Sequence, residues 1–565
     1  MNPETKQCGN CQKDFTIEAD DFAFYDKIKV PPPTWCFECR QQRRYAWRNE
    51  RTLYRRNCDL CSKSMVTIYS PEKPYKVYCQ SCWWGDEWDT ESYGTEFDFS
   101  RSFSEQFSEL QHRVPRMALL SKNSVNSEYA NHSGDNKNVY FGFSCFGDEN
   151  VSYSTWTMQS RDCMDCSLIY EKGERLYECI DCRSSFHCQY CILVSGSTDC
   201  YYCYDVNNSS NCFLSSNLRN QHYVFMNQKY SREEYLEKIK EFDLASHAVR
   251  RALFEEFRRM VEYHAIHKYM IGERNVSSFG NMLFGCKNVT HSFEVDKGED
   301  CTYVYGTLDL KDCMDLYHVG FKTELCYECQ GSTRLYNCQF CHMCYDDSHL
   351  MYCDSCQNSQ NLFGSVSVKK GEYMIFNKKY SKEEYYELKD KIIEHMKTTG
   401  EHGEFFSPAI APVYFNETRA SIYMPLSKEE VLSRGWQWED KIPGIFGKGT
   451  INMEAVPDRI DDIGDEFKSH IYTCGICTKN YNITAEEFAF YKREIIPLPR
   501  NCPDCREKSR IAQRPLRKSW HRTCMCDKKT HVHAESPCSN EFETSYAPDR
   551  PEKVYCESCY QAEVL

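Results

Sequence analysis

Residues 149–230 recur at residues 299–380 with a fixed offset of 150 and no gap. RDCMDC at 161–166 meets KDCMDL at 311–316, HCQYC at 187–191 meets NCQFC at 337–341, and MNQKYSREEY at 226–235 meets FNKKYSKEEY at 376–385. A block of this kind is one structural unit used twice. A shorter repeat runs inside it, marked by Asn126, Asn138, Asn150 and Asp162; it slips, then resumes at His187, Asp199 and Asn211, with a usual step of 12 residues. Short β-branched, aromatic and cysteine runs between Asn, Asp, Ser and Gly predict strands and turns. Asparagine at the corners suits left-handed turn geometry. Such a pattern predicts a stacked β-solenoid whose coil is 12 residues, or 24 with two motifs per coil.

The duplication also assigns a job to the central cysteines. Five positions are Cys in both copies: Cys163/Cys313, Cys179/Cys329, Cys188/Cys338, Cys191/Cys341 and Cys203/Cys353. Eight pair Cys with Leu or Val, among them Cys166/Leu316, Cys200/Leu350 and Cys301/Val151. A zinc ligand cannot become leucine and keep its tetrahedron, whereas a compact buried residue can, and free cysteine packs as a small hydrophobe. The central cysteines are therefore expected to be core residues; the alternative is extra metal sites built from the five shared positions. No βαβ context supports a thioredoxin-like use of Cys-x-x-Cys.

The two ends read differently. Cys8, Cys11, Cys36 and Cys39 form one pair of Cys-x-x-Cys knuckles, and Cys58, Cys61, Cys79 and Cys82 a second. Two knuckles brought together supply four thiolates, the set zinc takes in closed sites. Cys474, Cys477, Cys502 and Cys505 repeat the first set at an offset of 466, and EEFAFY at 486–491 repeats DDFAFY at 20–25 at the same offset. The last site offers Cys556 and Cys559 with two of Cys524, Cys526 and Cys538; His531 and His533 lie nearby and are read as solvated loop residues. About four zinc ions are expected.

The pattern of Cys-x-x-Cys, an FAFY element, proline and Cys-x-x-Cys-Arg resembles an uncharacterised bacterial family with zinc-ribbon domains at both ends of a Cys-rich repeat region. The resemblance covers the ends, and it implies zinc binding without an established activity.

Helices are expected after the capping boxes Ser231/Glu234, Ser381/Glu384 and Ser427/Glu430, from Ser102 with Glu105, and along 246–270. The expected fold class is thus mainly β with helical connectors: two tandem β-solenoid (parallel β-helix-like) blocks flanked by paired zinc ribbons. The segments are 1–95, two ribbons; 96–122, a connector helix; 123–229, the first block; 230–272, a helical spacer; 273–379, the second block; 380–470, helix and connector; and 471–565, two further ribbons.

Seven arginines fall in residues 40–56, and Arg40, Arg44, Arg48, Arg51 and Arg55 would share one helical face, with Tyr45, Trp47 and Tyr54 between them. Arginine with aromatics suits phosphate contact and base stacking, which makes RNA or a ribonucleoprotein a candidate partner. The competing reading pairs these arginines with acids. The net charge of −14 argues against a protein that coats nucleic acid by charge alone. No apolar run reaches a membrane span, and MNPETKQC lacks a secretory signal, so a cytoplasmic protein with reduced thiols is expected. No phosphate loop, His-Glu-x-x-His or other catalytic motif is present, and all-cysteine zinc sites leave no open position for substrate. The sequence therefore points to a zinc-binding structural or interaction scaffold, not an enzyme. Its alternatives are a protein–protein scaffold without nucleic acid and a thiol- or metal-handling protein.

Overall fold

The computed structural model describes residues 2–531, 533 and 537–565. The chain is mainly β, and it divides into two compact units by crossing over itself in sequence. One unit joins Met1–Leu120 to Met270–Ile442; the other joins Ser121–Tyr269 to Pro443–Leu565. Each unit therefore holds one pair of terminal Cys-rich segments and one copy of the repeated block.

Each block is an eleven-stranded sheet dominated by parallel pairs. The pairing step is 12 residues: Thr155 aligns with Ser167, Cys200 with Cys212, and Val295 with Thr307. Bridges recur every three residues along the chain, as in Lys137↔Glu149, Tyr140↔Ser152 and Asn131↔Phe143. Each 12-residue step thus contains several short paired segments three residues apart. Every third residue turns the corner in the left-handed region: Asn126, Asn138, Asn150 and Asp162 have φ of 49°, 55°, 55° and 50°, and Tyr190 and Tyr202 follow at 54° and 56°. Such conformations cost roughly 1–2 kcal/mol per L-residue. Two features offset the cost. Backbone bonds run both ways along the stack, Glu149 N to Ser160 O at 3.0 Å and Asn150 N to Lys137 O at 3.0 Å. The corner amides also bond one another, Asn138 to Asn150 and Asn150 to Asp162, both at 2.9 Å.

Another residue in each triplet points inward. In the first block the interior runs Cys163, Cys166, Ile169, then Leu176, Cys179, Cys182, and on to Cys200, Cys203, Val206, all essentially without exposure. These inward positions hold mostly small or slender side chains, with Cys, Ser, Val and Leu the most frequent. Most of the polar ones are satisfied locally, although Thr307 Oγ1 and Asp347 Oδ2 have no hydrogen-bond partner among the described residues. Cys191 Sγ donates to Gln189 O and Cys200 O at 3.4 and 3.3 Å, and Ser154 Oγ accepts from Cys166 N at 3.1 Å. The slip in the sequence repeat is a one-residue bulge. Arg161 pairs with Glu174, a step of 13, where Glu171 and Lys172 are both left-handed. The second block bulges at Phe321 and Lys322, the same positions 150 residues on.

Each block ends alike. Asn227 accepts from Ser216 N at 2.7 Å and donates to Ser216 O at 3.2 Å; Asn377 does the same to Val366 at 2.8 and 2.8 Å. An amide side chain thus closes backbone groups that an open sheet edge would leave unpaired. The expected capping boxes then start helices Arg232–Lys240 and Lys382–Thr399. Ser427 and Ser102 also cap helices, Lys428–Ser433 and Phe103–Arg113. The helix expected over 246–270 is shorter. It spans His247–Arg259, passes through a π-turn at Met260–His264, and gives way to a strand, Ile266–Lys268, that pairs in parallel with Lys553–Tyr555. The reason is His267, which is buried with its Nδ1 2.8 Å from Tyr204 Oη and 3.0 Å from Tyr546 Oη.

Candidate metal centres and the arginine faces beside them

Each terminal segment is a short antiparallel hairpin followed by a helix or strand that returns the second pair of cysteines. The hairpins pair Glu4–Gln7 with Asp14–Ile17, Tyr54–Asn57 with Ser64–Thr67, Tyr472–Thr473 with Asn480–Tyr481, and Trp520–Thr523 with Glu541–Thr544. They bring together Cys8, Cys11, Cys36 and Cys39; Cys58, Cys61, Cys79 and Cys82; Cys474, Cys477, Cys502 and Cys505; and Cys524, Cys538, Cys556 and Cys559. Within each group the sulfurs lie within 4.8 Å of one another. A tetrahedral zinc with bonds of ~2.3 Å places its sulfurs ~3.8 Å apart. The observed Cys11–Cys36, Cys61–Cys79 and Cys477–Cys502 separations are 3.8, 3.9 and 3.6 Å. The four groups can therefore hold metal ions.

The backbone favours the thiolate at the first sulfur of two of these groups, while the sulfurs of Cys11, Cys36, Cys502 and Cys505 are shifted up. Burial pushes the Cys8 thiol up, but N–H groups of Cys11, Cys36 and Asn10 outweigh it and bring it down to about 7. Cys36 N lies 3.2 Å from Cys8 Sγ, and the equivalent bond from Cys502 N to Cys474 Sγ is 3.3 Å. Cys474 likewise falls to about 7 against the opposing effect of burial. Metals bind thiolates, so donors aimed at sulfur favour the ligating form.

In the last segment Cys524 and Cys538 join Cys556 and Cys559, while Cys526 points elsewhere. It lies with His531, His533 and Cys559, with Cys526 Sγ 3.1 Å from His531 Nδ1 and 3.6 Å from His533 Nε2. The reading of both histidines as solvated is thus corrected. The mainly Cys-x-x-Cys logic of the other sites gave no cue that Cys524-x-Cys526 would split between two groups.

The central thiols neighbour one another in branched sets: Cys179 meets Cys166, Cys182 and Cys191, and Cys188, Cys191, Cys203 and Cys200 close a ring. Among the described residues, none of the central cysteines belongs to a group of three or more that could hold a metal. Cys200 and Leu350 sit at equivalent inward positions, both fully buried.

The arginines expected to form a nucleic-acid face do something else. The helix that begins at Cys36 spans only Phe37–Tyr45. Arg48 and Arg51 lie beyond it, and Arg55 sits on the strand Tyr54–Asn57, so the five residues do not share a helical face. Arg40, Arg44 and Arg48 are buried, as are Tyr45, Trp47 and Tyr54. Arg51 is half-buried; Arg55 alone of the five is exposed. Arg40 Nη2 pairs with Asp315 Oδ2 at 2.8 Å, and Arg44 forks between Asp315 Oδ1 and Glu328 Oε2 at 2.8 and 2.7 Å. Arg43 links Glu328 to Glu404, both at 2.7 Å. Arg48 and Arg419 share Glu50. A guanidinium held by carboxylates away from water is not available to phosphate, so the RNA reading of Arg40, Arg44 and Arg48 is withdrawn.

The second unit repeats the arrangement. The helix Pro503–Ala512 starts at Cys502 and carries Arg506 and Arg510. Both reach Asp165 at 3.0 Å; Arg510 also reaches Glu178 at 3.2 Å, and Arg514 reaches Asp181 at 2.9 Å. Asp165 and Glu178 are the 150-residue counterparts of Asp315 and Glu328, and Arg506 and Arg510 the 466-residue counterparts of Arg40 and Arg44. Arg40 also stands over the Tyr303 ring and Arg506 over that of Tyr153, again 150 residues apart. The acids went unnoticed in the sequence, where the two offsets relate each acid and each arginine to its own copy but not to each other.

No family model matches the chain, and no curated protein matches it. One solved structure it aligns with, a Desulfovibrio desulfuricans G20 protein provisionally described as an acetyltransferase, shares 8% identity over 47% of this chain and 68% of its own, with a TM-score of 0.10. A likeness that low carries no argument. Fold and site define a mainly β protein with several Cys-rich groups able to hold metal ions. No helix among the described residues is long and apolar enough to cross a membrane.

Proposed function

We propose that the chain is a zinc-dependent structural scaffold in which each pair of terminal segments is a pair of zinc ribbons and each repeated block a β-solenoid with a 12-residue coil. The observation that carries this reading is the position of the arginine helices. Cys36 is the N-cap of the Phe37–Tyr45 helix and Cys39 lies in its first turn, so the ion that holds both sulfurs also sets the angle from which Arg40 and Arg44 meet Asp315 and Glu328. Cys502 and Cys505 stand in the same relation to Arg506, Arg510, Asp165 and Glu178. Zinc would then act at a distance: it fixes a helix, the helix docks through at least two guanidiniums on two carboxylates of the block, and the ribbon becomes part of that unit. Closed four-thiolate sites support a structural role and not catalysis.

The test is metal analysis of the purified chain combined with hydrogen exchange before and after chelation. The reading expects zinc at the ribbons, and chelation should deprotect residues 37–45 and 503–512 together with the backbone around 315–328 and 165–178. A chain that carries no metal, or whose exchange pattern ignores chelation, sinks it.

A further inference from the structure

We infer that the last Cys-rich segment holds two metal ions joined through the Cys559 sulfur, the second ion bound by Cys526, His531 and His533. This rests on the metal-binding reading of the ribbons and adds a site to it. Cys559 is the single residue common to both candidate groups. Its thiol neighbours Cys538 and Cys556 on one side and Cys526 on the other. Cys526 is wholly buried, yet it is too many for the first tetrahedron, which Cys524, Cys538, Cys556 and Cys559 complete. A tetrahedral zinc bound by sulfur at ~2.3 Å and nitrogen at ~2.0–2.1 Å separates those two ligand atoms by ~3.5 Å. His533 Nε2 at 3.6 Å and His531 Nδ1 at 3.1 Å from Cys526 Sγ bracket that spacing.

The second coordination sphere of His531 fits the same role. Its Nδ1 faces Cys526, and its Nε2 lies 3.1 Å from Glu563 Oε2. A carboxylate on the far nitrogen fixes the tautomer that leaves Nδ1 unprotonated, the arrangement usual for metal-bound histidine. Lys528 holds Glu563 in turn at 3.1 Å. Charge favours the pair of ions as well. A dication with four thiolates keeps two negative charges, whereas two dications with five thiolates and two neutral imidazoles keep one, a smaller desolvation burden for buried sulfur.

Full-length protein exchanged with NMR-active cadmium tests this. The expected result is five ions per chain, with scalar coupling between two of the cadmium resonances, since only a shared sulfur transmits it. The His531→Ala/His533→Ala variant should bind four ions, lose the coupling and keep a four-thiolate resonance from the remaining ion of that segment. Cys526→Ser should do the same. Four ions in the unaltered protein with no coupled pair overturns the second ion while leaving the ribbons intact, and so does coupling that survives loss of both histidines. A chain that takes up no cadmium at all overturns the ribbon reading first.

Discussion

Arg44 Nη1 donates to Glu328 Oε2 at 2.7 Å across 284 residues of chain, with neither side chain exposed. Arg510 and Glu178 make the corresponding pair in the other unit at 3.2 Å. These pairs fasten a Cys-rich terminal segment to a repeated block, and their consequences can be measured.

Arg44→Met leaves Asp315 and Glu328 buried with less compensation. Removing one partner of a buried pair costs about 3–5 kcal/mol, whereas apolar replacement of both is often neutral. Chemical denaturation should therefore show a large loss of stability for Arg44→Met and only partial recovery in Arg44→Met/Glu328→Met, because Arg43 then loses Glu328 and Asp315 still lacks Arg44. A surface role for Arg44 predicts no loss and no recovery.

The terminal and central cysteines should respond in opposite ways to substitution. Cys36→Ser and Cys502→Ser should each lower the metal content by one ion and loosen the helix that follows. Cys188→Val and Cys191→Val should leave the metal content unchanged, at a cost below about 2 kcal/mol, as expected for volume-matched core changes. Elemental analysis on the four variants separates the two classes.

Reactivity gives a second readout on the same thiols. The interior sulfurs are buried and donate to backbone carbonyls, so a bulky reagent in solvent cannot reach them in the folded chain. An aromatic disulfide reagent should label few of the 37 cysteines in the folded, metal-loaded chain and all of them after denaturation with chelator. Rapid native labelling at Cys188 or Cys341, read by mass spectrometry, contradicts the packed interior.

Asp148 gives the stability a pH dependence. Its carboxylate lies inside the first block, accepting from Ser160 N at 2.7 Å and from the Thr157 hydroxyl. Burial raises it from 3.8 to about 6, with the hydrogen bonds from Thr157 and Ser160 only partly opposing. The folded state thus holds a proton that the unfolded state releases. The contribution is favourable below pH ~4 and is lost as pH rises through ~6, amounting to about 3 kcal/mol at pH 8. Asp148→Asn should be more stable than the parent at pH 8, and the gap should close as pH falls from 6 to 4. Asn136 shows that an amide fits: one step earlier it accepts from Asp148 N and donates to Cys145 O, both at 2.9 Å. A thermal shift that is flat across that range rules the effect out.

Much of this was readable from the chain. The 150-residue duplication, the corner asparagines, the capping boxes and three of the four-cysteine groups all announce themselves locally. The exchange of Cys200 for Leu350 separated packing thiols from ligands without any structure. The three-residue period was missed because tyrosines such as Tyr190 and Tyr202 occupy left-handed corners that favour asparagine, which masks the signal. The arginines of residues 40–56 were misread because the acids that bury them lie some 270–285 residues away. Spacing within a segment reports which residues share a face, not what that face meets. The Cys526 group was missed because its two histidines come from an insertion with no counterpart at residues 58–82.

The crossed division of the chain bears on how it is made. The first Cys-rich segments leave the ribosome with their guanidiniums unmatched, and the acids that receive them, Asp315 and Glu328, are synthesised only after the whole of the first block has emerged. That block must itself wait for residues 443–565 to complete its own unit. Contacts so far apart in sequence are slow to form and leave partly assembled surfaces exposed meanwhile. A metal taken up early by Cys8, Cys11, Cys36 and Cys39 would keep the Phe37–Tyr45 helix in shape through that interval, and on that reading the supply of the ion during translation, and not only afterwards, would bear on the yield of finished protein.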